Sequence, residues 1–324
     1  MVDVASRARV SLKTVSRVVN REPNVRPETA ERVRAAIKEL GFRRNDGAMR
    51  LRSGRTASIG LIVEDLANPF YSAVAAACER VARRQDHVLI TASAEGLPDR
   101  EQAIAGAFLA RRVDGLIIVP AQSDHKWLAD EVARGLPVVF VDRPATGVES
   151  DTVLADNEGG MRSAVDHLMA LGHERIGFLG DDPQFWTAQR RLAGFRTAMA
   201  RHDRPADVVA MGPHSADAIR ELLDDWTARE PAVTALITGN NRVTVEALRA
   251  LRGQTTAPAL VGFDDFELAD MLSPAISVVA QQPVELGTVA ADLLFSRIHG
   301  EHTSPRRVVL PTELIVRESG RWHR

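Results

Sequence analysis

From residue 58 onward the chain alternates short apolar runs with longer stretches of helical periodicity, and few architectures accept that pattern. The runs lie at 59–63, 87–90, 115–119, 138–141, 176–179, 235–238 and 259–263, and each is apolar almost throughout. A strand with one wetted face would alternate polar and apolar residues. Continuous apolar runs therefore predict strands covered on both faces, and helices between them predict parallel sheets. Two of the strands look alike. Ser58-Ile-Gly-Leu-Ile-Val-Glu-Asp65, with Phe70-Tyr71 before its helix, resembles Arg175-Ile-Gly-Phe-Leu-Gly-Asp-Asp182, with Phe185-Trp186 before its own. Strand, acidic loop, aromatic pair and helix, used twice, predict two similar doubly wound lobes. Ligands in such sheets bind beyond the carboxyl ends of the strands, so both loops are expected to face one cleft.

The first 56 residues are of another kind. Val4, Ala5, Ala8 and Val10 suggest one short helix. Ser11 can cap a second that carries Val15, Val18 and Val19. Pro27 suits the first turn of a third, with Ala30, Val33, Ile37 and Leu40 inward and Gly41 at its end. Three helices in so few residues bury little, so the unit is marginal alone. It holds fourteen Lys/Arg against six Asp/Glu in a chain whose net charge is −2, so the other 268 residues carry ten more negative charges than positive. The chain is rich in arginine throughout, but composition does not explain why the signs segregate. A basic module on an acidic body is expected where one end meets a polyanion and the rest must not adhere to it.

Several classes drop out. A length of 324 residues with 45% hydrophobic and 26% charged side chains describes a folded protein of two or three units. The lone Cys78 allows no internal disulfide and sits in an apolar helical run, where it reads as core filler. No stretch approaches a membrane span, and Met1-Val2-Asp3 starts no signal peptide, so a cytoplasmic location is expected. His299 and His302 flank Glu301 on an exposed loop and read as solvated rather than metal-binding. No nucleophile elbow, Walker loop, zinc-protease motif or full dinucleotide fingerprint appears, so no catalysis and no cofactor are expected.

The segment Asp3-Val-Ala-Ser-Arg-Ala-Arg-Val-Ser-Leu-Lys-Thr-Val-Ser-Arg-Val-Val-Asn20 resembles the helix-turn-helix of the lactose-repressor (LacI/GalR) family of bacterial transcription regulators. The likeness continues through Pro27-Glu-Thr-Ala-Glu-Arg-Val33, Leu51-Arg-Ser-Gly-Arg-Thr56, Asn68-Pro-Phe70, Arg191-Leu-Ala-Gly-Phe195, Val261-Gly-Phe-Asp-Asp265 and Leu310-Pro-Thr-Glu-Leu-Ile-Val-Arg-Glu318, the whole length of the chain. It implies an all-α helix-turn-helix domain at 1–44, a hinge helix and linker at 45–56, and an α/β body at 57–324. The body would be periplasmic-binding-protein-like, with two doubly wound parallel-sheet lobes, one of about 57–154 and 282–308, the other of about 155–281 and 309–324.

On a recognition helix, Leu12, Lys13 and Arg17 lie opposite Val15, Val18 and Val19 and suit base reading. Arg17 and Lys13 can donate to guanine and Leu12 can pack on a thymine methyl. Ser11, Thr14, Ser16, Asn20 and Arg21 suit the DNA backbone. By family position Leu51 is the minor-groove wedge of the hinge and Ala48 its close helix contact. Gly47 stands where a branched apolar residue is common and should weaken that helix by roughly 0.5–1 kcal/mol. Arg9 occupies the family's turn glycine, at about 1 kcal/mol if the backbone is left-handed there. Relatives usually begin several residues further upstream, with a capping Thr or Ser, a difference that a mis-assigned start codon would explain.

By the same likeness the effector cleft would be lined by Asn68, Phe70, Tyr71, Asp142, Arg191, Asn240, Asp264 and Gln281, to which the duplicated aromatic pair adds Trp186. Carboxylates, a guanidinium and amides grip vicinal hydroxyls while an aromatic covers a sugar ring, which favours carbohydrate over purine or nucleoside. Asp265 reads as a helix cap, and Asn241 replaces the Asp usual after Asn240. The implied partners are an operator, a small-molecule effector and a second copy of the chain, with no membrane. A free-standing solute-binding protein would have no use for residues 1–56, and a DNA-binding enzyme would need a catalytic constellation.

Overall fold

The computed structural model describes residues 1–19, 22–23, 25–41, 56–254 and 257–321. It divides into two compact units, residues 1–56 and 57–324.

In the first unit, helices α1 (Val2–Ala8), α2 (Leu12–Val19) and α3 (Pro27–Glu39) close on Val4, Ala5, Ala8, Val15, Val33 and Ala36. Arg9 ends α1 in the left-handed region at φ 51°, the strain expected of a non-glycine residue there. Ser11 Oγ accepts the Thr14 N–H at 3.2 Å, satisfying one donor of the first turn of α2. Arg7 on α1 pairs with Glu39 on α3 at 2.6 Å, both exposed. Leu40 departs from the expected inward stripe and is 45% exposed. The stripe of α3 runs through Ala30, Val33 and Ala36, and Leu40 lies past the last turn, where the helical period no longer aims it inward.

The second unit is two six-stranded sheets. The chain runs β1 (Ser58–Val63), α4 (Pro69–Arg84), β2 (Val88–Ser93), α5 (Pro98–Ala110), β3 (Leu116–Ile118), α6 (Ala129–Ala133), β4 (Val138–Val141) and β5 (Asp151–Ala155). It then runs α7 (Asn157–Ala170), β6 (Ile176–Gly180), α8 (Trp186–Arg201), β7 (Val209–Met211), α9 (Ala216–Ala228), β8 (Ala235–Thr238), α10 (Asn241–Leu251), β9 (Ala259–Phe263) and β10 (Ser277–Ala280). Helix α11 (Pro283–Ile298), β11 (Arg307–Leu310) and β12 (Glu313–Ile315) complete it.

The sheet orders are β11-β5-β4-β3-β1-β2 and β12-β10-β9-β8-β6-β7, so each strand of the first sheet has a counterpart at the same place in the second. Among the described residues strand pairing is parallel except for the antiparallel β12. The chain passes between sheets after β5, after β10 and between β11 and β12.

The duplication reaches into the packing. A Cβ on Gly60 of β1 would lie 2.5 Å from the Phe108 ring of α5, and one on Gly177 of β6 would lie 2.8 Å from the Trp226 ring of α9. In both lobes a strand glycine admits an aromatic ring from the corresponding helix. Helices α4 and α11 cover one face of the first sheet, with Cys78 buried between them and its thiol donating to the Gly287 carbonyl at 3.3 Å. Among the described residues no helix is long and apolar enough to cross a membrane.

Candidate functional site

Helix α2 turns Val15 fully inward and leaves Ser11, Leu12 and Lys13 exposed. Arg17 is partly exposed one turn on, with its Nε 3.9 Å from a Glu22 carboxylate oxygen. The outward face of the helix therefore carries Leu12, Lys13 and Arg17. Thr14 and Ser16 are half-buried, and the Thr14 hydroxyl lies 2.9 Å from that of Ser11. Asn20, Arg21, Ala48 and Leu51 lie outside the described residues, as does the whole expected hinge helix.

In the second unit, the carboxyl ends of strands from both sheets open on one cleft of about 720 Å³. Of the nine expected cleft residues, Asn68, Phe70, Tyr71, Asp142, Arg191, Asn240, Asp264 and Gln281 line it. Trp186 does not. It begins α8 half-buried, with Arg190 6.0 Å from its ring. The aromatic that meets the other lobe is Phe185, in extended backbone one residue earlier, whose ring stacks on the Arg143 guanidinium at 4.1 Å.

Asp142 and Asp264 follow β4 and β9, the corresponding strands of the two lobes. Both adopt left-handed backbone, at φ 70° and 69°, and each donates its N–H to the adjacent strand at 2.9 Å, to Val153 and Val279. The pair is thus the cleft's own duplication, one carboxylate from each side. Asp142 accepts the Tyr71 hydroxyl at 3.2 Å, and Asp264 accepts the Gln281 amide at 2.6 Å. Arg191, buried against the Phe263 ring at 3.9 Å, donates to Asn157 Oδ1 at 2.7 Å and to the Gly239 carbonyl at 2.6 Å. Its Nη1 stands 3.6 Å from Asp264.

Burial pushes the Asp142 carboxyl above its usual pKa, against the pull of Arg143 and Arg191, and raises Asp181 as well. Burial also drives the Tyr71 hydroxyl well up. For Arg143 burial works against the charge, but Tyr71, Glu64 and Asp142 more than offset it and hold the guanidinium protonated.

Two asparagines serve the scaffold. Asn68 Oδ1 caps α4 through the Phe70 N–H at 3.1 Å, and Asn240 Oδ1 caps α10 through the Val243 N–H at 2.8 Å. Asn241 is buried and donates across the cleft to Asn68 Oδ1 at 2.9 Å. Arg242 pairs with Asp65 beside it.

The sequence reading passed over Glu64, Asp181 and Arg143. Glu64 bonds Arg143, and Asp181 accepts the Asn240 amide at 2.6 Å. The signal for Glu64 and Asp181 was the duplicated strand itself, which puts them in register at its carboxyl end, while Arg143 lies outside both copies. Asp265 caps no helix, because β9 is followed by turns. It forms a two-pronged ion pair with Arg317, at 3.0 and 2.9 Å. His299 ends α11 with its ring 6.2 Å from that of Phe295. Among the described residues no group of three or more His, Cys, Asp or Glu is placed to hold a metal.

Residues 1–45 match the family of bacterial regulatory proteins, lacI family, and residues 165–320 match a periplasmic binding protein-like domain. The chain is 34% identical to the HTH-type transcriptional regulator CelR of Thermobifida fusca over 337 aligned positions, covering 98% of this chain and 97% of that one. Among solved structures, the lac repressor dimer bound to operator and the anti-inducer ONPF superposes with a TM-score of 0.85 at 28% identity, covering 98% of both chains. A CelR–cellobiose complex superposes with a TM-score of 0.70 at 32% identity, again covering 98% of both.

Proposed function

The chain belongs to the lacI family of bacterial regulatory proteins, and from that premise we propose that it is a homodimeric repressor of sugar uptake or catabolism genes, controlled by a carbohydrate in its interlobe cleft. It acts by binding DNA and ligand rather than by catalysis, in the cytoplasm. The observation that carries the ligand reading is the pair Asp142 and Asp264, one buried carboxylate from each lobe, facing one cleft with amides and a guanidinium beside them. Such groups grip vicinal hydroxyls from both sides, and Phe70 supplies an apolar surface for a ring. Arg191, Asn240, Gln281, Asn68 and Tyr71 complete the proposed binding set.

Residues 1–44 form the DNA reader in this proposal. Leu12, Lys13 and Arg17 contact base edges, and Ser11, Thr14, Ser16, Asn20 and Arg21 contact the backbone. Residues 45–56 link the reader to the body, with Ala48 and Leu51 at the minor groove. Dimer symmetry implies a near-palindromic operator. A ligand controls DNA only if it favours one lobe arrangement over another, and the hinge is the element that arrangement would bias.

The test is operator binding by the purified full chain, with and without a sugar panel led by cellobiose. Arg17→Ala is expected to lose about 1–3 kcal/mol on the specific operator while keeping non-specific affinity. Asp264→Ala is expected to bind operator as wild type does but to lose the sugar response. Equal loss on specific and random DNA for Arg17→Ala, or an unaltered response in Asp264→Ala, refutes the corresponding half of the reading.

A further inference from the structure

Resting on the carbohydrate reading of the cleft, we infer that its ligand is an uncharged sugar, and that phosphorylated and acidic sugars are excluded by the way this chain pairs its own charges. The lining includes six carboxylates, among them Glu64, Asp142, Asp181 and Asp264, against four arginines. Every one of those arginines is already committed to a carboxylate. Arg143 is held by Glu64, Arg191 lies 3.6 Å from Asp264, Arg242 is held by Asp65, and Arg249 is held by Glu246. Arg242 and Arg249 are exposed, but an anionic ligand in the buried part of the cleft would have to break the Arg143 or the Arg191 pair or lie among uncompensated carboxylates, both costly there.

The helix ends point the same way. The N-termini of α4 and α10 are places where an anion could dock, but the side chains of Asn68 and Asn240 close them. The first turn of α8 has no side-chain cap, and its Thr187 lines the cleft. That turn is where an anion would bind if the inference fails.

Among the described residues, three buried polar atoms of the lining lack a hydrogen-bond partner: Arg143 Nε, whose nearest carboxylate, Asp142, is 3.6 Å away, Asn241 Oδ1 and Gln281 Oε1. One is a donor and two are acceptors. The orientation of both amides is imposed by their neighbours, because Gln281 must turn its NH₂ to Asp264 and Asn241 must turn its own to Asn68 Oδ1. Unmet acceptors beside a surplus of carboxylates call for a ligand rich in O–H donors, and a hydroxyl can also accept from Arg143 Nε. A carboxylate or a dianionic phosphate offers acceptors only.

Calorimetric titration of the full chain with matched probes decides it: cellobiose, glucose and galactose against glucose 6-phosphate, galacturonate and gluconate, with glucosamine and adenine as outsiders. A neutral sugar is expected to bind, with its charged counterpart weaker by about 100-fold or more. Neutral-sugar affinity is expected to be nearly independent of salt. In Glu64→Gln, which takes the nearest carboxylate from Arg143 and leaves it Asp142 at 3.6 Å, the discrimination against the anion should narrow at least about tenfold. A charged sugar that binds as tightly as its neutral counterpart overturns the inference, and so does unchanged discrimination in Glu64→Gln. Glucosamine, a cationic sugar, binding more tightly than glucose likewise overturns the inference, whereas binding of adenine with no response to any sugar overturns the carbohydrate reading on which it rests.

Discussion

Asp142 is a residue working against its own surroundings. It is buried, its backbone is left-handed, and its carboxyl is pushed above the ordinary value by burial. Because the folded pKa lies above the unfolded one, the native state takes up a proton first as pH falls. The ionised side chain is therefore a cost to folding that is complete above the raised folded value and is relieved as pH drops through it. Asn keeps the hydrogen-bonding shape, tolerates left-handed backbone and carries no charge. Asp142→Asn is expected to raise Tm at pH 7, to lose part of the wild type's gain in stability on mild acidification, and to bind sugar more weakly. Thermal scans at pH 7 and pH 5, with a sugar titration, check this. A Tm below wild type at pH 7 would show that the carboxylate supports the fold. Strain of this kind concentrates where a site needs a group that the fold alone would not choose.

At the scale of elements, glycines mark where helices press on their neighbours. A Cβ on Gly287 of α11 would lie 2.5 Å from the Val74 carbonyl of α4, an atom that no rotamer change can move aside. Gly287→Ala is expected to destabilise the body by about 1–3 kcal/mol through overpacking. Gly106 is exposed within α5 and meets nothing within 4 Å, so Gly106→Ala is expected to stabilise by about 0.5–1 kcal/mol through helix propensity alone. Denaturant unfolding of the two variants checks the contrast, and equal effects would mean the helix pair yields more readily than its geometry suggests. The seven runs seen in the sequence all became strands, six of them almost wholly buried, whereas the run at 87–90 became β2, an edge strand that is partly exposed and so departs from the expected cover on both faces. Strands β5, β7, β10, β11 and β12 were not recognised. β11 and β12 are edges that are partly exposed, with three or four residues to display a period, and β7 is a half-buried edge of three. β5 opens on the polar Asp151-Thr152, whose carboxylate is covered by Arg297 of α11 and by Arg306, partners far along the chain.

Across the body, the two lobes are bridged at the cleft by Arg242 with Asp65, Asn241 with Asn68, and Phe185 on Arg143. The Arg242–Asp65 pair is half-exposed, so its direct worth is about 0–1 kcal/mol. Any stabilisation of the bridged arrangement that the ligand also favours enters the binding affinity. Arg242→Ala is therefore expected to weaken sugar binding by up to about fivefold and to enlarge the ligand-free radius of gyration slightly, with Tm little changed. Titration with small-angle scattering tests this, and unchanged affinity with unchanged scattering would make the pair a surface contact without influence on the lobes. The sequence by itself determined the fold class, the three-helix basic unit and the lobe duplication, because period, capping and strand-end loops are written in neighbouring residues, while eight of the nine expected cleft positions followed from the family likeness of the motifs that carry them. Only the tertiary structure decided that Phe185 rather than Trp186 turns inward, that Asp265 serves Arg317, and that Glu64 seizes Arg143 from 79 residues away. Those pairings follow from strand order and lobe approach, which set distances between residues remote in the chain and leave no trace in its local pattern.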